Sequence, residues 1–198
     1  MKKDTKETRQ HILDTGYKLI VSKGFSSVGL TEILQSAGVP KGSFYYYFKS
    51  KEQFGEEIIS NYFREYLVAL EDIFQLRGES AYKRLMEYWR RWIETQSDSC
   101  VDQKCLVVKL SAEVADLSEP MRIALLNGSS QVVQRIAQCI EAGIDDGSIV
   151  KSNAAVTADF LYNMWLGATL MSKLQRNADG LQQAMRITTS ILTNNTVT

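Results

Sequence analysis

The apolar residues of this chain recur at three- and four-residue spacing almost from end to end, and that period selects helix over strand. Ile12, Leu13, Gly16, Tyr17 and Ile20 share one helical face. Phe54, Ile58, Tyr62 and Leu70 recur along a second helical stretch, and Leu85, Tyr88, Trp89 and Trp92 form the apolar stripe of a third. Val107-Val108 and Val132-Val133 are β-branched, but each pair lies inside a longer helical period. The predicted fold class is all-α, with about nine helices.

Glycines, prolines and capping residues place the boundaries. Asp4-Thr-Lys-Glu7 reads as a capping box that opens the first helix, and Gly24 stops it. A short helix from Leu30 to Ala37 is broken by Gly38, and another runs from Lys41 to Tyr47. Ser50-Lys-Glu-Gln53 is a second capping box, opening a long helix toward Leu76. After a turn at Arg77-Gly78-Glu79, helices are expected over residues 80–96 and 103–115. Ser118-Glu-Pro120 starts a seventh helix, because proline is tolerated where its missing N–H had no partner. Asp145-Asp-Gly147 is a turn, and the last two helices span 153–176 and 180–193.

Composition then removes whole function classes. With 198 residues, 44% of them hydrophobic, the chain can bury a real core. The longest apolar run, Phe160 to Met171, is interrupted by Asn163, Gly167 and Thr169, and it falls short of the roughly 18 residues that cross a bilayer. Asp14 and Lys18 break the one candidate leader stretch. The expectation is a cytoplasmic protein with no membrane partner. The three cysteines, Cys100, Cys105 and Cys139, are then expected as reduced thiols. His11 is the single histidine, no Cys/His spacing suits zinc, and no glycine-rich phosphate loop or GxSxG elbow is present. The reading is therefore no metal, no cofactor and no enzyme. A thiol-dependent enzyme is the alternative, and it lacks a base and an orienting group.

The formal net charge of +0 hides an asymmetry. Residues 1–55 hold nine Lys/Arg against five Asp/Glu, and the rest carries the opposite excess. A basic module on a mildly acidic body points to a polyanion partner for the first part. The division is placed near Ser50: residues 1–50 as a helix-turn-helix domain, residues 51–198 as an effector-sensing and dimerisation domain.

Two short helices about Gly38, followed by aromatics, have the form of a helix-turn-helix. The second must enter a major groove about 12 Å wide. Its start is small and polar (Pro40, Lys41, Gly42, Ser43), while Phe44, Tyr47 and Phe48 can anchor it from behind. Tyr45 and Tyr46 are left facing outward beside Lys41, Lys49 and Lys51, and Ser50 and Lys51 open a helix whose N-terminus attracts phosphate. Four consecutive aromatics, Tyr45 to Phe48, cannot all face inward on one helix.

Gly24-Phe25, Leu30-Thr-Glu-Ile33, Ala37-Gly-Val39, Lys41-Gly-Ser-Phe-Tyr-Tyr-Tyr-Phe48 and Ser50-Lys-Glu52 together resemble the DNA-binding domain of TetR-type repressors. The resemblance implies a homodimer reading a palindromic double-stranded operator. It casts Lys41, Gly42 and Ser43 as the start of the recognition helix and Tyr45 as a base or backbone contact. Tyr46 and Lys51 become phosphate contacts, and Thr31 reaches a phosphate from the supporting helix. Where the family commonly has Thr-Ser before the second helix, this chain has Val28-Gly29. A glycine cap costs only a few tenths of a kcal/mol relative to serine, so the change bears on operator identity more than on binding.

The last two helices carry a wide apolar surface with small residues at Gly167 and Ala168. It serves either an intrachain core or, as the family resemblance implies, a four-helix bundle with the partner subunit. The segment Cys105-Leu-Val-Val-Lys-Leu-Ser-Ala-Glu-Val-Ala-Asp-Leu-Ser118, with Met164-Trp-Leu-Gly-Ala168 and Lys173, resembles the N-ethylmaleimide- and electrophile-responsive branch of the same family. That branch controls detoxifying reductases and senses electrophiles and oxidants through cysteine. Cys105 sits near a helix start, where the macrodipole favours thiolate, with Lys104 adjacent and Lys109 one turn on. Lys173 is a candidate to stabilise it, and Cys100 is an alternative reactive or resolving thiol. Cys105 could equally be a small buried hydrophobe beside Leu106, and Cys139 reads as core. Trp89, Trp92, Tyr162 and Trp165 either line a pocket for a planar, reversibly bound effector or simply pack.

Overall fold

The computed structural model describes residues 2–76, 78–96 and 105–194. Among them are nine helices: α1 Lys2–Lys23, α2 Leu30–Ala37, α3 Lys41–Tyr47, α4 Lys51–Phe74, α5 Ala81–Gln96, α6 Leu106–Val114, α7 Glu119–Asp145, α8 Ala154–Gln175 and α9 Asp179–Thr193. No described residue is in a strand, and no described helix is long and apolar enough to cross a membrane. The chain forms two compact units, Met1–Arg64 with Lys104–Gly128 and Glu65–Gln103 with Ser129–Thr198. This division runs elsewhere than the change of charge near residue 50. The first half of α4, all of α6 and the start of α7 join the N-terminal helices.

The first unit is built on α1, which buries Ile12, Leu13, Ile20 and Val21. Its start departs from expectation: the helix begins at Lys2, so Asp4 lies inside it rather than capping it. Gly16 lets α1 lie against α4, since a Cβ there would stand 2.3 Å from Phe54 Cζ. After α2, Gly38 takes the left-handed conformation (φ 65°). The Val39 N–H reaches back to the Leu34 carbonyl at 3.1 Å, the six-to-one bond of a Schellman ending. α4 starts where its capping box predicts. Ser50 Oγ accepts from the Gln53 N–H at 3.1 Å, and Gln53 Oε1 accepts from the Lys49 N–H at 2.6 Å, one residue earlier than the usual return contact.

The second unit packs α8 against α9 and α5 against α9 around its tryptophans. Trp89 and Trp165 stack with centroids 4.6 Å apart. Two threonines are fully buried because the indoles require them. Thr169 Oγ1 accepts from Trp92 Nε1 at 2.8 Å, and Thr188 Oγ1 accepts from Trp165 Nε1 at 2.9 Å. Each hydroxyl then donates to a carbonyl one turn back, Trp165 and Ala184 respectively. The Asp145-Asp-Gly147 turn caps α5 from outside: Asp146 Oδ2 accepts from the Ala81 N–H at 2.9 Å and Ser148 Oγ from the Tyr82 N–H at 3.2 Å.

One stability prediction follows from this geometry. Thr188→Val keeps the shape but leaves the Trp165 indole N–H buried without an acceptor, a loss of about 1–3 kcal/mol. Urea unfolding at fixed protein concentration should show a lower midpoint with unchanged slope. An unshifted midpoint would mean that the indole bond adds nothing.

Candidate DNA-reading face and sensing helix

Seven residues make a marginal helix, so α3 must be held from behind. Phe44 and Phe48 do this; both are fully buried. With Phe54 at the start of α4 they form a ring triangle, with centroids 5.1, 5.2 and 4.9 Å apart. The Arg9 guanidinium lies 5.4 Å from the Phe48 ring centroid and pairs with Glu57. Tyr47 is half-buried and meets Tyr46 edge-on.

The opposite face is open. Tyr45 is 50% exposed and Tyr46 75% exposed, and Thr31, Lys41 and Gly42 are also exposed, with Ser43 half-buried. The Lys41 ammonium lies 5.8 Å from the Tyr45 ring centroid. Nothing lies within 4 Å of where a Gly42 Cβ would be. The structure thus brings Lys41, Gly42, Ser43, Tyr45 and Tyr46 onto one short helix, with Thr31 on α2 before it. α2 begins without a side-chain cap at Gly29, whose carbonyl accepts from the Glu32 and Ile33 N–H groups instead.

Lys51 sits differently from the rest. Its ammonium donates to the Phe25 carbonyl at 2.8 Å and lies 4.4 Å from the Phe25 ring centroid. Burial pulls its pKa below the ordinary lysine value, against the opposing influence of Glu52 and Glu113.

Cys105 takes the N-cap position just before α6, with φ −56° and ψ 111°, and supplies no side-chain cap bond. The helix is shorter than the 103–115 expected. Cys105 is 6% exposed. Cys100 and Lys104 lie outside the described residues. The Lys109 ammonium donates to the Ser22 carbonyl at 3.4 Å. Lys173 is exposed on the last turn of α8 and belongs to the second compact unit, whereas Cys105 belongs to the first. Cys139 is buried and donates to the Ala81 carbonyl at 3.5 Å, and burial pushes its thiol up to about 12. The four aromatics once open to two readings are all buried ring against ring, with Trp92–Tyr162 and Trp92–Trp165 centroids 6.0 and 6.2 Å apart.

One residue with no role in the sequence reading stands out here. Glu113, on α6, accepts from the Phe25 N–H at 3.0 Å and from the Ser26 N–H. Burial works to raise its pKa, but the bonds from Ser26 and Phe25 and the Lys109 charge outweigh it and hold the carboxyl below its ordinary value. Its one signal in the sequence is an acid on a helix that otherwise buries Leu106, Val107, Leu110 and Val114.

Comparison with known proteins bears on both faces. Residues 12–58 match the family of bacterial regulatory proteins of the tetR type, and residues 81–188 match the tetracyclin repressor-like C-terminal domain. The HTH-type transcriptional repressor NemR of Escherichia coli K12 is 38% identical over 181 residues, 90% of each chain. The HTH-type transcriptional repressor DhaR of a Mycobacterium species (strain GP1) is 33% identical over 180 residues, 90% of this chain and 89% of its own. The crystal structure of E. coli NemR in its reduced form superposes with a TM-score of 0.90 at 36% identity, covering 96% of this chain and all of that one.

Proposed function

This chain belongs to the TetR family of bacterial regulatory proteins, and on that premise we propose a homodimeric, cytoplasmic repressor whose α3 helices read a palindromic operator and which lets go when an electrophile or oxidant modifies Cys105. Its relatives are transcriptional repressors and regulators rather than enzymes. The observation that carries the reading is the α3 face: an exposed Lys41–Tyr45–Tyr46 surface on a fully buried aromatic buttress. Such a surface suits phosphate and base-edge contact and has no role in the chain's own core.

In this reading the subunits meet along the last two helices, α8 and α9, in a four-helix bundle, and α8 offers the more exposed apolar face. Val156, Phe160, Leu170, Met171 and Leu174 are all exposed and fall on one stripe, with exposed Gly167 between them to permit close approach. Two heads held about 34–36 Å apart would then enter successive major grooves.

The sensing step is addition. The Cys105 thiolate attacks a quinone ring carbon: the C–S bond forms as the ring C=C π bond breaks, the electron pair moves to the conjugated carbonyl oxygen, which takes up the proton the thiol gave up, and the C–H proton at the attacked carbon shifts to the second oxygen, giving a hydroquinone thioether with no leaving group. A cysteine buried at the N-cap, with 6% of the residue exposed, cannot accept a ring unless the first turn of α6 moves. Release then equals the difference in affinity between the two helix positions. Lys173 and Cys100 are kept as candidate assistants to this chemistry.

A second reading is favoured by Trp89, whose buried indole nitrogen has no hydrogen-bond partner among the described residues. A reversibly bound aromatic ligand with a carbonyl would satisfy it. The test is a gel shift on the DNA flanking the chain's own gene, across a salt series, with and without a quinone. The proposal expects a steep loss of affinity with salt and release on treatment. Absence of salt-dependent binding would remove the repressor reading, and release by a non-electrophilic aromatic alone would favour the second.

A further inference from the structure

We propose that Glu113 is a positioning residue for operator binding: its carboxylate locks the turn between α1 and α2, and through that turn it fixes Lys51 at the start of α4 and joins α6 to the DNA-reading head. The proposal rests on the reading of the N-terminal unit as an operator binder.

The geometry is a chain of contacts centred on Phe25. α1 ends at Gly24 in the left-handed region (φ +91°). That conformation turns the next two amides, Phe25 and Ser26, away from the α1 ladder, and the two oxygens of Glu113 receive one each. The carboxylate lies close against Gly24, 3.0 Å from where a Cβ would stand. Successive backbone N–H groups converging on one carboxylate form charge-assisted bonds, stronger than neutral ones. A second tie from α6 runs from Lys109 to the Ser22 carbonyl.

The turn so held is also what holds Lys51. The Phe25 carbonyl accepts one of the three ammonium protons, and the Phe25 ring lies beneath the charge. The same ring packs on α4 at Gly55, where an added Cβ would stand 2.6 Å from it. Phe25 is 2% exposed, so it has no alternative seat nearby without repacking. Among the described residues the ammonium makes one hydrogen bond, to the Phe25 carbonyl, which leaves two protons for an external oxygen at the N-terminal end of α4. Without Glu113 the turn loses the acceptor for two amides, the carbonyl loses its fixed place, and the lysine becomes one more mobile surface charge. Glu113 lies eight residues beyond Cys105 on the same helix, about 12 Å at 1.5 Å per residue. Movement of α6 is therefore felt at the turn directly, without passing through the rest of α4.

The experiment uses the full-length protein and the DNA flanking its gene, with wild type, E113Q, K51M and the E113Q/K51M double variant. E113Q keeps the side chain's shape and one acceptor oxygen. It is expected to weaken binding about tenfold and to lower the slope of log Kd against log salt by about one per head, because a phosphate contact is lost. K51M should do the same, and the double variant should match K51M alone, since both changes remove one contact. A merely structural role for Glu113 would lower stability and leave the salt slope unchanged. If wild type binds with a steep slope while E113Q keeps that slope, or if the two changes add fully, the positioning role is wrong. If wild type itself shows no salt-dependent binding, the operator reading fails, and that outcome is distinguishable from the first.

Discussion

Replacing Lys41 by glutamate is expected to weaken operator binding by about thirtyfold or more and to leave the protein folded. The side chain is exposed and enters no ion pair among the described residues; its charge lies only near the Tyr45 ring. A surface substitution of this kind shifts stability by about 0.5 kcal/mol or less. On DNA the same change removes a favourable contact and puts a negative charge against the phosphates. A specific contact of this kind is worth about 1–3 kcal/mol per head, so a two-headed dimer loses roughly 2–6 kcal/mol, about thirtyfold or more. Tyr46→Ala, which trims a side chain 75% exposed, is expected to weaken binding less, again without unfolding. Phe44→Ala is the contrasting case. It leaves the outer face unchanged but removes a fully buried ring from the triangle with Phe48 and Phe54, at about 3–5 kcal/mol of stability. Circular dichroism melts paired with gel shifts separate the two classes. Full affinity in the Lys41→Glu protein would mean that α3 is not the reading helix.

The contrast between those two faces was legible in the sequence because it rests on local rules. Gly38, Pro40 and the run Phe44 to Phe48 fix α2 and α3 to the residue, and four consecutive aromatics force some outward whatever the tertiary fold. The Ser50 capping box placed α4 for the same reason. The Asp4 box failed because a helix can extend past a capping signal when the residues before it are tolerated in helix, as Lys2 and Lys3 are. Lys51 and Glu113 were illegible for a deeper reason. Lys51 reads as a phosphate contact and Glu113 carries no local signal of a role, and only the meeting of α1, α4 and α6 turns both toward Phe25. Chain separation of 88 residues between Glu113 and Phe25 leaves no periodic or local signature. The two threonines under the tryptophans belong to the same class, with partners 77 and 23 residues away.

Cys105→Ser is expected to bind the operator as wild type does and to hold it in the presence of quinone. Serine is close to cysteine in size and is among the preferred N-cap residues, while the thiol supplies no cap bond to α6. The helix therefore keeps its start and gains an acceptor for its first amides, so any loss of response is chemical rather than structural. Cys139 is the internal control. Its thiol is buried, and a pKa near 12 keeps it protonated at neutral pH, so it should remain unlabelled in the folded protein. Intact-mass measurement on wild type should then find operator release tracking a single adduct per chain, absent from the Cys105→Ser variant. Unaltered release by that variant would overturn sensing at this position, and Cys100→Ser would be the next comparison. A reversible electrophile adds a stricter test. If an adduct at Cys105 weakens the operator complex by a given factor, linkage requires the operator to weaken the adduct by the same factor. Adduct affinity measured with and without operator DNA should therefore differ by the ratio of operator affinities with and without adduct. A thiol that reacts without moving α6 would show neither difference.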